Sequence, residues 1–229
     1  MRLAAAASRG LLAALLVATA ALAQPAPNVK PIDPPKTVLF EADKAQAKSY
    51  TFKSMTISGG YLLEHEGGLP HVVKSRKWDV VILQGQSTEP MEANKERSDR
   101  FKAYARQYDK VIRESGAKTA FFMTWAYQDK PEMTAPLAEG YTNIANELEA
   151  FVVPVGLAFE RAIKARPELV LHFRDRQHPS LAGTYLAACT FYAALFGKSP
   201  EGIAYAADLD KDTAAFLQGV AWETVKAFY

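Results

Sequence analysis

"WDVVILQ", residues 78–84, is the stretch on which the fold turns. Val80, Val81, Ile82 and Leu83 follow one another with no polar residue between them. A strand with one wet face alternates apolar and polar residues. An unbroken β-branched run is what a strand covered on both faces requires. "KTAFFMTW" (118–125) has the same character. "FVVPV" (151–155) is shorter, and Pro154, which has no N–H for a ladder, makes it an edge strand or a strand end. Two more strand candidates lie upstream: "KTVLF" (36–40), and the alternating "SYTFKSMTIS" (49–58), which stops at Gly59-Gly60.

Amphipathic runs separate these strands. Phe101, Tyr104, Ala105, Tyr108, Val111 and Ile112 share a helical face that Gly116 ends. Leu137, Tyr141, Ile144, Ala145 and Leu148 form a second stripe. Leu181, Tyr185, Cys189, Tyr192 and Phe196 form a third, begun by Pro179-Ser180 and stopped by Gly197. Leu217, Ala221, Val225 and Phe228 form a fourth. Strand–helix alternation of this kind predicts an α/β fold with a mostly parallel sheet, whose working residues gather at the carboxyl ends of the strands.

Outside this region the chain reads differently. Residues 1–23 begin with Arg2 and Arg9, continue into the apolar "LLAALLVATAALA" (11–23), and end in Ala21-Leu22-Ala23. This is the pattern of a secretory signal peptide cleaved after Ala23, so a periplasmic or secreted protein is expected, with no stable membrane insertion after cleavage. "QPAPNVKPIDPPK" (24–36) holds five prolines and reads as a tether, leaving 37–229 as one domain. Cleavage would take the formal charge of +2 to about zero, which gives no reason to expect nucleic acid as a partner. Cys189 is the only cysteine, so no intrachain disulfide can form, and its place on a helical stripe makes it a core residue.

The chemistry-bearing residues sit at the predicted strand ends. They are Ser58-Gly59-Gly60, Gln84-Gly85-Gln86-Ser87, Thr124-Trp125, and the pair Asp175 and His178 in "FRDRQHPSLAGTYLAA" (173–188). A serine-type hydrolase needs a hydroxyl, a base to deprotonate it, a carboxylate to orient the base, and donors aimed at the developing oxyanion. Asp175 and His178 match the carboxylate and the base. Backbone N–H groups at Gly59 or Gly60 and the Gln84 amide match the donors. The plain alternative is an Asp that caps a helix start beside a packed His. Trp125 and Tyr127 are placed either to stack on a sugar ring or to pack. His65, His71 and His172 show no metal-ligand spacing.

"DRQHPSLAGTYLAACTFYAALFGKSP" (175–200) resembles the last block of the SGNH, or GDSL-like, hydrolase family, in an exported bacterial branch. "TISGGYLLEH" (56–65), "WDVVILQGQS" (78–87), "AKTAFFMTWA" (117–126) and "VVPVGLAF" (152–159) resemble the same branch, so the resemblance spans most of 50–205. It implies a flavodoxin-like three-layer α/β/α fold. It also implies metal-free hydrolysis of acyl or acetyl esters, often on carbohydrates or lipids, with no cofactor. Carried over, it makes His178 the base, Asp175 its orienting acid, and Gly59 or Gly60 an oxyanion donor. Gln84 stands where many members have Asn.

Upstream the chain departs from that pattern. The family's nucleophile is a Ser in a Gly-Asp-Ser or Gly-Asn-Ser turn directly after the first strand. Here "KTVLF" runs into "EADKAQAKSY", with no glycine and no Ser before Ser49. The stretch 41–48 is also shorter than the dozen or more residues that a parallel crossover takes. The expected chain therefore lacks the serine turn. Ser58 is the best-placed substitute, ahead of Ser87, while Ser180 reads as a helix cap. Two functions follow: an ester hydrolase impaired at its nucleophile, or a non-catalytic periplasmic ligand-binding homologue. A lost crossover helix would bare one sheet face, from which an aggregation-prone or dimeric protein is expected.

Overall fold

A computed structural model describes residues 53–229. The signal peptide, the tether, the 36–40 strand, the 41–48 gap and the start of the 49–58 strand lie outside the described residues. Within them, β1 (Val80–Leu83), β2 (Lys118–Phe122) and β3 (Phe151–Val153) form a parallel sheet in the order β1-β2-β3. Val80 pairs with Lys118, and Ala120 pairs with Phe151. Six α-helices accompany it: α1 (Leu69–Lys74), α2 (Lys95–Glu114), α3 (Thr134–Leu148), α4 (Val155–Ala165), α5 (Leu181–Phe196) and α6 (Lys211–Phe228).

The unbroken apolar strands have the cause the sequence suggested. Val80, Ile82, Ala120, Phe122, Phe151 and Val153 pack into one core with residues of α4, α5 and α6. Val81, Leu83, Phe121 and Val152 pack into the other with α1, α2 and α3. Successive side chains point to opposite faces, so only a continuous run can feed both layers. The architecture is a three-layer α/β/α sandwich. No helix among the described residues is long and apolar enough to cross a membrane.

Local chemistry sets the helix ends. The Asn94 side chain accepts from Arg97 N at 3.1 Å at the start of α2, and the Asp210 side chain accepts from Thr213 N at 2.9 Å at the start of α6. Ser180 caps α5 by accepting from Gly183 N at 3.2 Å, and Gly197 ends that helix at φ 61°. Pro154 both ends β3 and begins α4, a helix that was not read in the sequence although Val155, Ala158, Phe159 and Ala162 trace its stripe. Helix α5 is buried nearly all round instead of along one stripe, and Leu181, the first residue of the expected stripe, is 52 % exposed.

Residues 53–58 differ from the expectation. They form no strand and run into a tight turn in which Gly60 N donates to Ile57 O at 3.0 Å with Gly59 at φ 69°. A left-handed residue at that point redirects the chain before the alternating pattern can pair. The edge of β3 is closed by a side chain. The Tyr229 hydroxyl donates to Val152 O at 2.5 Å and accepts from Val152 N at 3.2 Å.

Candidate functional site

The last loop before α5 is a short hairpin. His172 bridges Pro179 in antiparallel register, Phe173 N donates to His178 O at 2.6 Å, and Ser180 N donates to Leu171 O at 2.9 Å. The turn between them, 174–177, is organised by Asp175. Its Oδ1 accepts from Gln177 N at 3.0 Å and His178 N at 2.9 Å, and its Oδ2 is hydrogen-bonded to His178 Nδ1. Arg176 takes a left-handed φ of 64° to close this turn. These bonds, led by the one from His178, hold the Asp175 carboxyl at about 2, below its usual range. It therefore stays ionised at neutral pH. A carboxylate on Nδ1 fixes the proton there and leaves Nε2 with its lone pair as the basic nitrogen. Both side chains are accessible, at 49 % for His178 and 41 % for Asp175.

The hairpin is moored to the carboxyl end of β2. The Trp125 indole N–H donates to Gln177 O at 2.9 Å, and Gln128 N donates to Arg176 O at 2.9 Å. The buried His172 ring bonds Ala126 O at 2.9 Å. Burial is the main reason that the His172 pKa lies below its ordinary value, so this ring is a neutral strut. Gly183 lies against Leu171 O and the Phe159 ring, where a Cβ would leave no room. Trp125 is thus a buttress of the hairpin: its ring stacks on Phe159 at 4.6 Å and is 8 % exposed, which excludes it as a sugar platform.

The segment after Gly59-Gly60 and the Gln84 loop are moored separately, by a residue that the sequence reading passed over. Glu89 is wholly buried, and its Oε2 accepts from Leu62 N and from Gln86 N, each at 3.0 Å. It ties the segment following Ser58-Gly59-Gly60 to the loop following β1. Burial raises its pKa, against the opposing pull of the two N–H groups and Arg100. Gly85 N donates to the buried Tyr141 hydroxyl at 3.2 Å. Gln84 is half-buried in this loop, and its Oε1, the Glu89 Oε1 and the Thr124 Oγ1 are buried without a hydrogen-bond partner. A Glu in "QSTEP" gives no sign in the sequence that it is buried, because its partners are backbone groups far along the chain.

The structure brings Asp175 and His178 into direct contact. Gly59 is exposed in its turn, Ser58 is exposed and Ser87 is half-buried, and none of them is hydrogen-bonded to His178. The Ser180 hydroxyl accepts from Gly183 N and donates to Val170 O at 2.6 Å, so it is committed to capping. Cys189 is buried, and burial pushes its thiol up to about 11, which suits a core residue. Among the described residues no group of three or more His, Cys, Asp or Glu is arranged to hold a metal ion.

Comparison with solved structures places this architecture. A DUF4886 family protein from Bacteroides uniformis superposes with a TM-score of 0.59 at 21 % identity, over 69 % of this chain and 66 % of that one. This chain thus spans just under two thirds of that protein. A protein from Slackia heliotrinireducens described as a candidate SGNH hydrolase superposes with a TM-score of 0.52 at 23 % identity, over 60 % of this chain and 80 % of that one. At these identities the likeness is one of fold, and the fold is SGNH-like. No family model and no curated protein matches the chain.

Proposed function

We propose that the chain is an exported SGNH-type hydrolase of carboxylic esters, with acyl or acetyl groups, including those on carbohydrates, as its substrate class. The observation that carries this reading is the Asp175 carboxylate on His178 Nδ1, presented by a hairpin moored at a strand carboxyl end. His178 Nε2 takes the proton of the attacking hydroxyl, and the hydroxyl oxygen bonds to the ester carbonyl carbon. The carbonyl oxygen becomes an oxyanion, facing the N–H of Gly59 and the amide of Gln84. The imidazolium, stabilised by Asp175, returns the proton to the leaving alcohol as the C–O bond breaks. Ser58 is the proposed source of the hydroxyl. No cofactor is required by this chemistry.

A second reading is favoured by one observation: no Ser hydroxyl is bonded to His178 among the described residues. On that reading the chain is a periplasmic ligand-binding homologue. Purified protein assayed with p-nitrophenyl acetate separates the two. The hydrolase reading expects turnover that falls roughly 10²- to 10⁴-fold in His178→Ala. Turnover that survives this change sinks the assignment of the pair. No turnover, with saturable binding of an acylated sugar, favours the binder. Mass spectrometry of exported protein beginning at Gln24 would support cleavage after Ala23.

A further inference from the structure

An arginine in this fold can use two surfaces at once. Arg166 lies over the Phe216 ring at 4.1 Å and donates through its edge to Asp212 at 2.6 Å. The flat face of a guanidinium takes the ring, and its N–H groups remain for an anion. Arg97 and Arg100 use their faces in the same way, both on one ring. Their guanidinium carbons stand 5.5 and 5.3 Å from the centroid of Tyr61. They are three apart on α2, which makes them neighbours on its surface, with Cβ atoms about 5–6 Å apart. Their edges are unserved. Among the described residues neither guanidinium donates a hydrogen bond. Arg97 has no carboxylate in ion-pair range, and Arg100 has Glu96, 3.7 Å away and 88 % exposed. The lysines of the same stretch are taken, Lys95 by Asp99 and Lys102 by Glu92. Both arginines are half-buried, and the Arg100 Nε is buried with no partner. A buried N–H left unbonded is costly and points to an acceptor that the chain does not supply. Glu89 does not fill that place. Arg100 pulls its carboxyl down against burial, but its Oε2 is spent on Leu62 N and Gln86 N, and its Oε1 is unbonded. Arg76, stacked on Trp78 at 5.0 Å, is by contrast exposed, and its edge is open to water.

The pair lies at the working end of the sheet. β1 and β2 are parallel, so α2, the crossover between them, starts at the carboxyl end of β1. Arg97 and Arg100 stand in its first two turns, at the end that carries the Gln84 loop and the hairpin of His178. Tyr61 is held there by the Gly59-Gly60 turn and by the bond of Leu62 N to Glu89. We infer that Arg97 and Arg100, laid on Tyr61, form a binding subsite for the anionic oxygen group of a ligand, a carboxylate or a phosphate. Like charges held side by side repel, and an anion shared by them turns that repulsion into attraction. The planar fork of a guanidinium matches both groups with charge-assisted N–H···O bonds. The ring has already fixed the two faces, so less freedom is lost when the edges close on the oxygens. Glu64, whose Oε2 accepts from Tyr61 N at 2.7 Å, and Glu96 are acids beside the pair, and both are exposed, where water and salt screen their repulsion. The subsite does not depend on His178 acting as a base, so it fits a hydrolase and a binder of acidic ligands equally.

Calorimetry of the purified protein with succinate and with inorganic phosphate tests this without turnover. At least one of them should bind with a Kd at about the millimolar level or below. Arg97→Gln and Arg100→Gln should each weaken that binding about tenfold or more, the worth of one charge-assisted hydrogen bond. Arg76→Gln, at the stacked arginine before the amino end of β1, should leave it unchanged. Raising NaCl from about 20 mM to about 500 mM should weaken it as well. Urea midpoints establish that each variant is folded, and either single variant decides the matter if the other is not. Binding of succinate alone assigns a carboxylate to the subsite, and binding of phosphate alone assigns a phosphate. No binding of either anion, binding indifferent to both substitutions, or an equal loss in Arg76→Gln would overturn the subsite. Variants with a lowered midpoint that bind as the parent does would make the pair a brace for Tyr61 and also overturn it. Turnover of p-nitrophenyl acetate on the same samples keeps the two readings apart. Anion binding that depends on the pair, without turnover, keeps the subsite and removes the hydrolase. Turnover without anion binding does the reverse.

Discussion

Asp175 and Glu89 are two carboxyls on opposite sides of the ordinary range, and their surroundings explain both. Asp175 lies at the surface and is lowered by the His178 ring and two N–H groups. Glu89 lies in the interior and is raised by burial, although it too accepts two N–H bonds. Its linkage to pH follows in sign. The folded state holds the Glu89 proton to higher pH than the unfolded chain, whose ordinary value is 4.5. The stability contributed by the neutral form is complete below that value and is lost as pH rises through the folded one. Glu89→Gln keeps an acceptor for Leu62 N and Gln86 N and cannot ionise. It should be more stable than the parent at pH 8, by a margin that shrinks toward pH 4. Thermal melts at the two pH values check this, and a margin independent of pH would refute it.

At the scale of elements, the carboxyl ends of β1 and β2 each carry their own mooring. Glu89 joins the loop after β1 to the 59–62 turn, and Trp125, Ala126 and Gln128, in the loop after β2, hold the hairpin before α5. The opposite problem arises at β3, an edge strand that offers unpaired backbone groups. Tyr229 covers Val152 on both its N–H and its C=O. Tyr229→Phe leaves those groups without the hydroxyl and should cost about 1–3 kcal/mol, read as a lower urea midpoint with an unchanged slope. A midpoint equal to the parent's would show that the hydroxyl contributes nothing to closing the edge. Burial raises the Tyr229 phenol well above its ordinary value, so the latch persists across the neutral range.

For the molecule as a whole, the sheet is the partition between two cores. Phe121 is fully buried on the α2–α3 side, with Phe101 and Tyr141 rings at 6.2 and 6.3 Å, while Trp125 reports from the α4–α5 side. Phe121→Ala should cost about 3–5 kcal/mol. Because both layers share one thin sheet, Trp125 fluorescence, read with Trp78 and Trp222 replaced by Phe, and far-UV circular dichroism should lose the same amount and keep coincident transitions. Separated transitions would mean that the layers fold independently. The bare sheet face expected from a lost crossover is not present among the described residues: Val80, Val81, Ile82 and Leu83 are each no more than 2 % exposed. The large apolar side chains that do show are Ile57, three residues at 170–181, and Ile203 and Tyr205, so association, where it occurs, would begin at these.

The sequence by itself determined the layered α/β architecture, because unbroken apolar strands and 3.6-residue stripes admit few other packings. Ser180 and Gly197 marked the limits of α5, and Pro154 marked the end of β3, because capping and the missing N–H act within a few residues. The Asp175–His178 pair was legible for the same reason: its contact is made inside one turn of chain. Only the tertiary structure could decide what depends on distant partners. It showed that Glu89 is buried under backbone donors from Leu62 and Gln86, and that Trp125 is spent on Phe159 and the hairpin. It also set Phe173 opposite His178 in the hairpin, a placement that follows from cross-strand register rather than from composition. Local chemistry is written in neighbouring residues, whereas burial and facing are set by which segments the fold lays against one another.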